Sequence, residues 1–150
     1  MLQEKGGVTT KIRDVYIALG IVLCVAVLTV APVAASTNGA VTYAANFGKD
    51  WKAHAPGGWY CVSPAGTNSA YLNFGDRYSS YCALVTQYPT TATATQHYNS
   101  LSRGYFQATI FPAHPGVKTY KMAAKWLNPH KVLLVIQMDN YVFYGTEVVY

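Results

Sequence analysis

The sequence predicts a mainly β domain, an antiparallel meander forming a barrel or sandwich, behind one N-terminal hydrophobic helix. Three observations carry this reading. From Val15 to Ala35 no side chain is charged across twenty-one residues. Beyond that segment, short apolar runs alternate with Pro- and Gly-bearing turns at intervals of roughly ten residues, as in all-β domains. Only 11% of the 150 residues are charged against 51% hydrophobic, and thirteen are tyrosine. A disordered tail, a coiled coil or an acidic solvating chain needs far more charge, so all three are excluded.

Residues 1–14 form a polar lead with Lys5, Lys11 and Arg13 against Glu4 and Asp14. As a helix, residues 15–35 would span roughly 31 Å, close to the hydrocarbon thickness of a bilayer. Pro32 sits at the outer end of that span, where a break in the helix is tolerable. Lys11 and Arg13 flank its N-terminal side, and no charge follows until Lys49. The positive-inside bias therefore places the N-terminus inside and everything after Ser36 on the extracytoplasmic or luminal side. Two fates stay open. Val33-Ala34-Ala35 before Ser36 resembles a signal-peptidase site, which would release a secreted domain. The length of the apolar run instead suits a retained single-pass anchor.

The exported part divides into 36–58, a linker and first extended segment, and 59–150, the β domain. Ser36 to Ala45 is small and polar, and Ala55-Pro56-Gly57-Gly58 is a turn. Trp59 to Ser63 is a short β-type run closed by Pro64. Asn73 to Arg77 forms another turn, and Ser80 to Tyr88 a strand stopped by Pro89. The Thr/Ser-rich stretch from Thr90 to Gly104 reads as a long loop or exposed strand, and Tyr105 to Phe111 as β-type before Pro112. From Val117 to Leu127 the pattern alternates, with Tyr120, Met122, Ala124 and Trp126 on one face and Lys121 and Lys125 on the other. Its Lys, Met, Ala and Leu are also good helix formers, but the Pro-bounded runs around it favour a strand. Val132 to Met138 is almost unbroken apolar, as an interior strand is. Asp139-Asn140 then turns the chain into Tyr141 to Tyr150, completing a hairpin.

The chemistry-bearing residues are sparse. Cys24 lies in the leader, leaving Cys61 and Cys82 as the thiols of the exported part. In an oxidising compartment such a pair is expected to bridge, for roughly 3 kcal/mol, the alternative being two buried free thiols. The four exported carboxylates, Asp50, Asp76, Asp139 and Glu147, have no helical spacing to one another. His54, His97, His114 and His130 are isolated, and no HxH, HExxH, CxxC, GxSxG, GxGxxG or Walker pattern occurs. The expectation is a protein that is not an enzyme. Lys118, Lys121, Lys125 and Lys131 around Tyr120 and Trp126 read as a solvated face, and an exported chain is not expected to meet nucleic acid.

From Asn46 onward the chain resembles a lipocalin. Asn46-Phe47 leads to Gly57-Gly58-Trp59-Tyr60, similar to that family's opening segment and Gly-x-Trp-Tyr motif. Cys82 to Tyr88 is similar to its second strand, and Lys125-Trp126-Leu127 through Asp139-Asn140-Tyr141 to its later strand, apolar strand and Asp-bearing turn. The resemblance implies a barrel with a structural Trp59 at its closed end. It also implies a small apolar ligand, a non-covalent pigment or lipid, held by Tyr105, Phe111, Tyr120, Met122, Trp126 and Phe143. The alternative is a structural or accessory subunit of a membrane complex or a self-assembling extracellular filament, which low charge and abundant Tyr and Thr also suit.

Overall fold

A computed structural model describes residues 38–109 and 113–150. The hydrophobic segment at 15–35, its Cys24, and Phe111 lie outside the described residues. Among those described, no helix is long and apolar enough to cross a membrane.

One antiparallel sheet organises the domain. Its strands are β1 Trp59–Gly66, β2 Ser69–Gly75, β3 Ser79–Gln87, β4 Phe106–Gln107, β5 Tyr120–Asn128, β6 Lys131–Met138 and β7 Tyr141–Val149. They lie in the order β1-β2-β3-β7-β6-β5-β4, with β1 and β4 as outer strands that do not pair with each other. The mainly β, antiparallel expectation holds, and the hydrogen-bonded order is linear. Helix α1, Gly39–His54, packs on one face of the sheet, and helix α2, Thr91–Leu101, on the other.

Helix α1 corrects the reading of residues 36–58 as linker and extended segment. Asn38 starts it: its Oδ1 accepts from the backbone N–H of Ala40 at 3.1 Å and Val41 at 3.4 Å. The same side chain donates through Nδ2 to the carbonyls of Gly66 at 2.6 Å and Ser69 at 3.0 Å, tying the helix start to the β1–β2 turn. Gly39, Val41, Thr42, Tyr43 and Gly48 are weak helix formers, so packing rather than propensity holds this helix. Ala40, Ala44 and Phe47 form its buried stripe, and Trp51 extends it.

Helix α2 likewise replaces the loop or exposed strand expected at 90–104. Thr90 caps it, accepting from the Thr93 N–H at 3.1 Å. Ala94 and Tyr98, one turn apart, are buried against Ala123, Val135 and Val142 of the sheet. Gln137, fully buried on β6, donates to Thr95 Oγ1 at 2.9 Å and to the Asp139 carbonyl at 2.9 Å, which fixes the start of α2 on the sheet.

The predicted meander stands in the structure as β5, β6 and β7. Ile136 pairs with both Met122 and Phe143, and Leu134 with both Ala124 and Gly145. Asp139 turns the hairpin at φ 52°, and its Oδ1 accepts from the N–H groups of Lys118 at 3.1 Å and Thr119 at 2.8 Å. Strand β6 is buried along most of its length, as its unbroken apolar run requires.

Two expectations about single residues are corrected. Cys61 and Cys82 are free, exposed thiols and form no disulfide. Asn73 of the intervening strand pairs with both, which separates their Cα atoms by roughly 10 Å, beyond the reach of a bridge. Trp59, expected to plug a barrel end, begins the outer strand and is 41% exposed, with its ring edge over Gly75.

Candidate functional site

The last two turns of α1 put Phe47, Asp50, Trp51 and His54 on one stripe, at i, i+3, i+4 and i+7. Phe47 and Trp51 face the sheet. The Phe47 ring meets Phe74 at 5.2 Å and Phe143 at 5.3 Å between centroids, and Trp51 meets Phe74 at 5.1 Å and Tyr81 at 5.9 Å. Trp51 Nε1 donates to the Gly75 carbonyl at 2.8 Å, pinning the helix end to the end of β2. Across from this stripe stand Asp76, in the β2–β3 turn, and the segment Ala113, His114 and Pro115. Together with Ala55 and Pro56 they enclose an open cleft of about 560 Å³.

Its rim is polar. Asp50 lies between two imidazoles, with Oδ1 3.3 Å from His54 Nδ1 and Oδ2 3.6 Å from His114 Nδ1. His54 Nδ1 also lies 2.8 Å from the Asp50 carbonyl. The His114 Nδ1 atom is buried and has no hydrogen-bond partner, because 3.6 Å to the carboxylate is too long for one. Its ring is held edge-on to Tyr43 at 5.9 Å and tilted against Phe47 at 6.0 Å. Asp76 Oδ1 accepts from the Tyr78 N–H at 2.7 Å and the Ser79 N–H at 3.0 Å, so its position is set by its own turn.

Beneath Trp51, the Tyr81 hydroxyl donates to Glu147 Oε1 at 2.6 Å, with both side chains buried. Burial first, and the bond to Glu147 second, raise the Tyr81 phenol above its ordinary range. Tyr43 stacks on Tyr141 at 3.8 Å with its hydroxyl buried and unbonded, and burial followed by the charge of Asp139 raises it as well. The cleft therefore offers an aromatic floor, two carboxylates and two imidazoles. Among the described residues no Ser, Thr or Cys lines it, and no three His, Cys, Asp or Glu side chains converge as a metal site.

The six residues expected to hold a ligand are dispersed. Met122 and Phe143 are buried in the core beneath α1, and the Tyr120 hydroxyl points to Met122 Sδ at 4.0 Å. Burial pushes the Tyr120 phenol up to about 12. Trp126 is 57% exposed at the far end of β5. Tyr105 lies on the α2 side of the sheet, 6.0 Å from Lys125 Nζ. Phe111 lies outside the described residues. The cleft is instead built by Phe47, Asp50, Trp51, His54, Asp76 and His114. The i, i+3, i+4, i+7 spacing of the first four is the one signal in the sequence, and the reading of 36–58 as linker and extended segment passed over it. Nothing in the sequence joins His114 to Asp50.

No protein-family model, curated protein or solved structure matches this chain.

Proposed function

We propose that the described domain is a non-enzymatic, exported binding module, tethered through residues 15–35 or released after Ala35, that takes a small ligand in the cleft at the C-terminal end of α1. The observation that carries this reading is the cleft itself. Its volume of about 560 Å³ falls in the range of small-molecule sites. Phe47 and Trp51 supply a floor for an apolar or aromatic body such as a pigment or lipid tail. Asp50 and Asp76 at the mouth select a ligand that also carries a cationic group, since an aromatic face and a carboxylate both attract one.

Binding beside Trp51 changes its emission. In the full-length chain, with Trp59 and Trp126 replaced by Phe, a panel of apolar amines is expected to shift or quench Trp51 fluorescence in a saturable way. Asp50→Asn is expected to weaken that response. Native mass spectrometry of the purified chain identifies any ligand carried from the cell. A flat titration and a bare mass together would overturn the reading.

A second reading, an accessory subunit that buries surface against partners, is favoured by one specific feature. The face of β1, β2 and β3 opposite α1 has no helix over it among the described residues, and Tyr71 stands 50% exposed at its centre.

A further inference from the structure

That uncovered face carries both thiols. Across β1, β2 and β3 the row Cys61, Asn73 and Cys82 is in direct register, so all three side chains project to the same side. The next row is Ser63, Tyr71 and Leu84, and on the other flank lie Trp59, Gly75 and Ser80. These nine residues include no Asp, Glu, Lys, Arg or His. The side chains of the thiol row are short, so a second layer can approach closely there, while Tyr71 on one flank and Trp59, whose ring lies over Gly75, on the other stand taller beside them.

Two exposed thiols in an oxidising compartment do not persist as thiols, and these two cannot bridge each other across β2. Their arrangement is nevertheless self-complementary. A two-fold axis running along β2, between two facing copies, carries Cys61 of one copy opposite Cys82 of the other, and Cys82 opposite Cys61. The same operation sets Leu84 opposite Ser63 and brings Tyr71 against its own copy on the axis. An isologous contact of this kind needs one patch that matches itself, and the row meets that condition.

We propose that a second copy of this chain covers the β1–β2–β3 face, joined by two crossed Cys61–Cys82 disulfides. The proposal rests on the reading that residues 36–150 are exported. Each bridge forms by thiol–disulfide exchange. The Cys61 thiolate attacks a small or protein disulfide, R–S–S–R, and expels one RS⁻. The facing Cys82 thiolate then attacks the mixed disulfide at the Cys61 sulfur and expels the second. Two protein thiols are oxidised, the external disulfide is reduced to two thiols, and the released protons are taken up by the two leaving thiolates.

The test uses the full-length chain in mild detergent with Cys24→Ser, equilibrated with a glutathione redox buffer and read by non-reducing electrophoresis and peptide mapping. A covalent dimer with Cys61 linked to Cys82 of the other copy is expected. Cys61→Ser alone and Cys82→Ser alone should each abolish it, because each crossed bridge needs both residues. Mixing the two single variants should restore a singly bridged dimer, which separates this geometry from Cys61–Cys61 or Cys82–Cys82 pairing. Tyr71→Lys, which sets two like charges together on the axis, should slow dimer formation at least roughly tenfold. Glutathionylated monomers, or self-linking single variants, would overturn the proposal. Export is judged separately by protease protection in cells: a cytosolic domain that still dimerises in vitro would refute the location and leave the interface standing.

Discussion

Trp51 is the side chain on which helix, sheet and cleft converge. Its ring packs on Phe74 and Tyr81, and its Nε1 bond to the Gly75 carbonyl fixes how the end of α1 sits over the end of β2. Trp51→Phe keeps most of the apolar contact and removes that donor. We expect a loss of about 1 kcal/mol, seen as a lower denaturant midpoint with an unchanged slope. Gly145 poses the opposite problem, since a Cβ there would run into the Cys82 carbonyl and the Ala83 Cα of the paired strand β3. Gly145→Ala is expected to cost about 1–3 kcal/mol or more by forcing β3 and β7 apart, whereas Gly66→Ala, whose Cβ would meet only the Ser69 Cβ at 4.0 Å, an ordinary contact, should melt like wild type. Equal melting of the two glycine variants would show that β3 and β7 yield easily at this point. Neither Trp51 nor Gly145 announces itself in the sequence. Trp59, with the stronger local motif, is more exposed than Trp51, because a Gly-Gly-Trp-Tyr turn feeding an outer strand leaves its ring at the sheet's margin.

At the scale of elements, what could be read in advance follows from where each element gets its stability. The β6–β7 hairpin was legible because its apolar run, its two-residue turn and its return strand all sit within twenty residues and agree with one another. Helices α1 and α2 were not. Their Gly, Thr, Val and Asn residues argue locally for loop or strand, and it is Ala40, Ala44 and Phe47 on one helix, and Ala94 and Tyr98 on the other, meeting the sheet that overrides this. The candidate site was not legible either: the helical stripe of Phe47, Asp50, Trp51 and His54 was hidden once 36–58 read as linker, and His114 reaches Asp50 only through the fold. The hairpin supports a direct test. Leu134 is 4% exposed, so Leu134→Asp would bury an unpaired carboxylate and should cost several kcal/mol. Lys121, on the other face of β5, is half-buried with its Nζ 5.7 Å over the Tyr98 ring, so Lys121→Asp should cost about 1 kcal/mol, well below the cost at Leu134. A Leu134→Asp chain that melts like wild type would mean that β6 is not interior. The docking of α2 can be probed separately through Gln137. Gln137→Leu leaves the Asp139 carbonyl and Thr95 without this donor, so a loss of about 1–3 kcal/mol is expected, with faster amide exchange in α2 than in α1. Uniform exchange in the two helices would show that α2 is held by Ala94 and Tyr98 alone.

For the whole molecule, the abundance of tyrosine predicts how the fold responds to alkali. Tyr43, Tyr81 and Tyr120 all have phenols raised by burial, and Tyr120 reaches about 12. Below the ordinary phenol value of 10.0 the folded and unfolded chains both keep these protons, so stability does not depend on them. Between that value and about 12 the unfolded chain releases the Tyr120 proton while the folded chain retains it. The unfolded state then binds fewer protons, and stability falls as pH rises through this window. Tyr81 and Tyr43 act in the same direction, which makes the alkaline transition cooperative across both flanks of α1. Tyr120→Phe keeps the ring against Met122 and removes one titrating group. Its urea midpoint should therefore decline less steeply than wild type between roughly pH 10 and pH 12, while matching the wild-type trend below that range. Ultraviolet absorbance should show tyrosinate appearing late and together with unfolding. Parallel decline of the two proteins would mean that the Tyr120 phenol ionises freely in the folded chain and that the core beside Met122 is open to hydroxide.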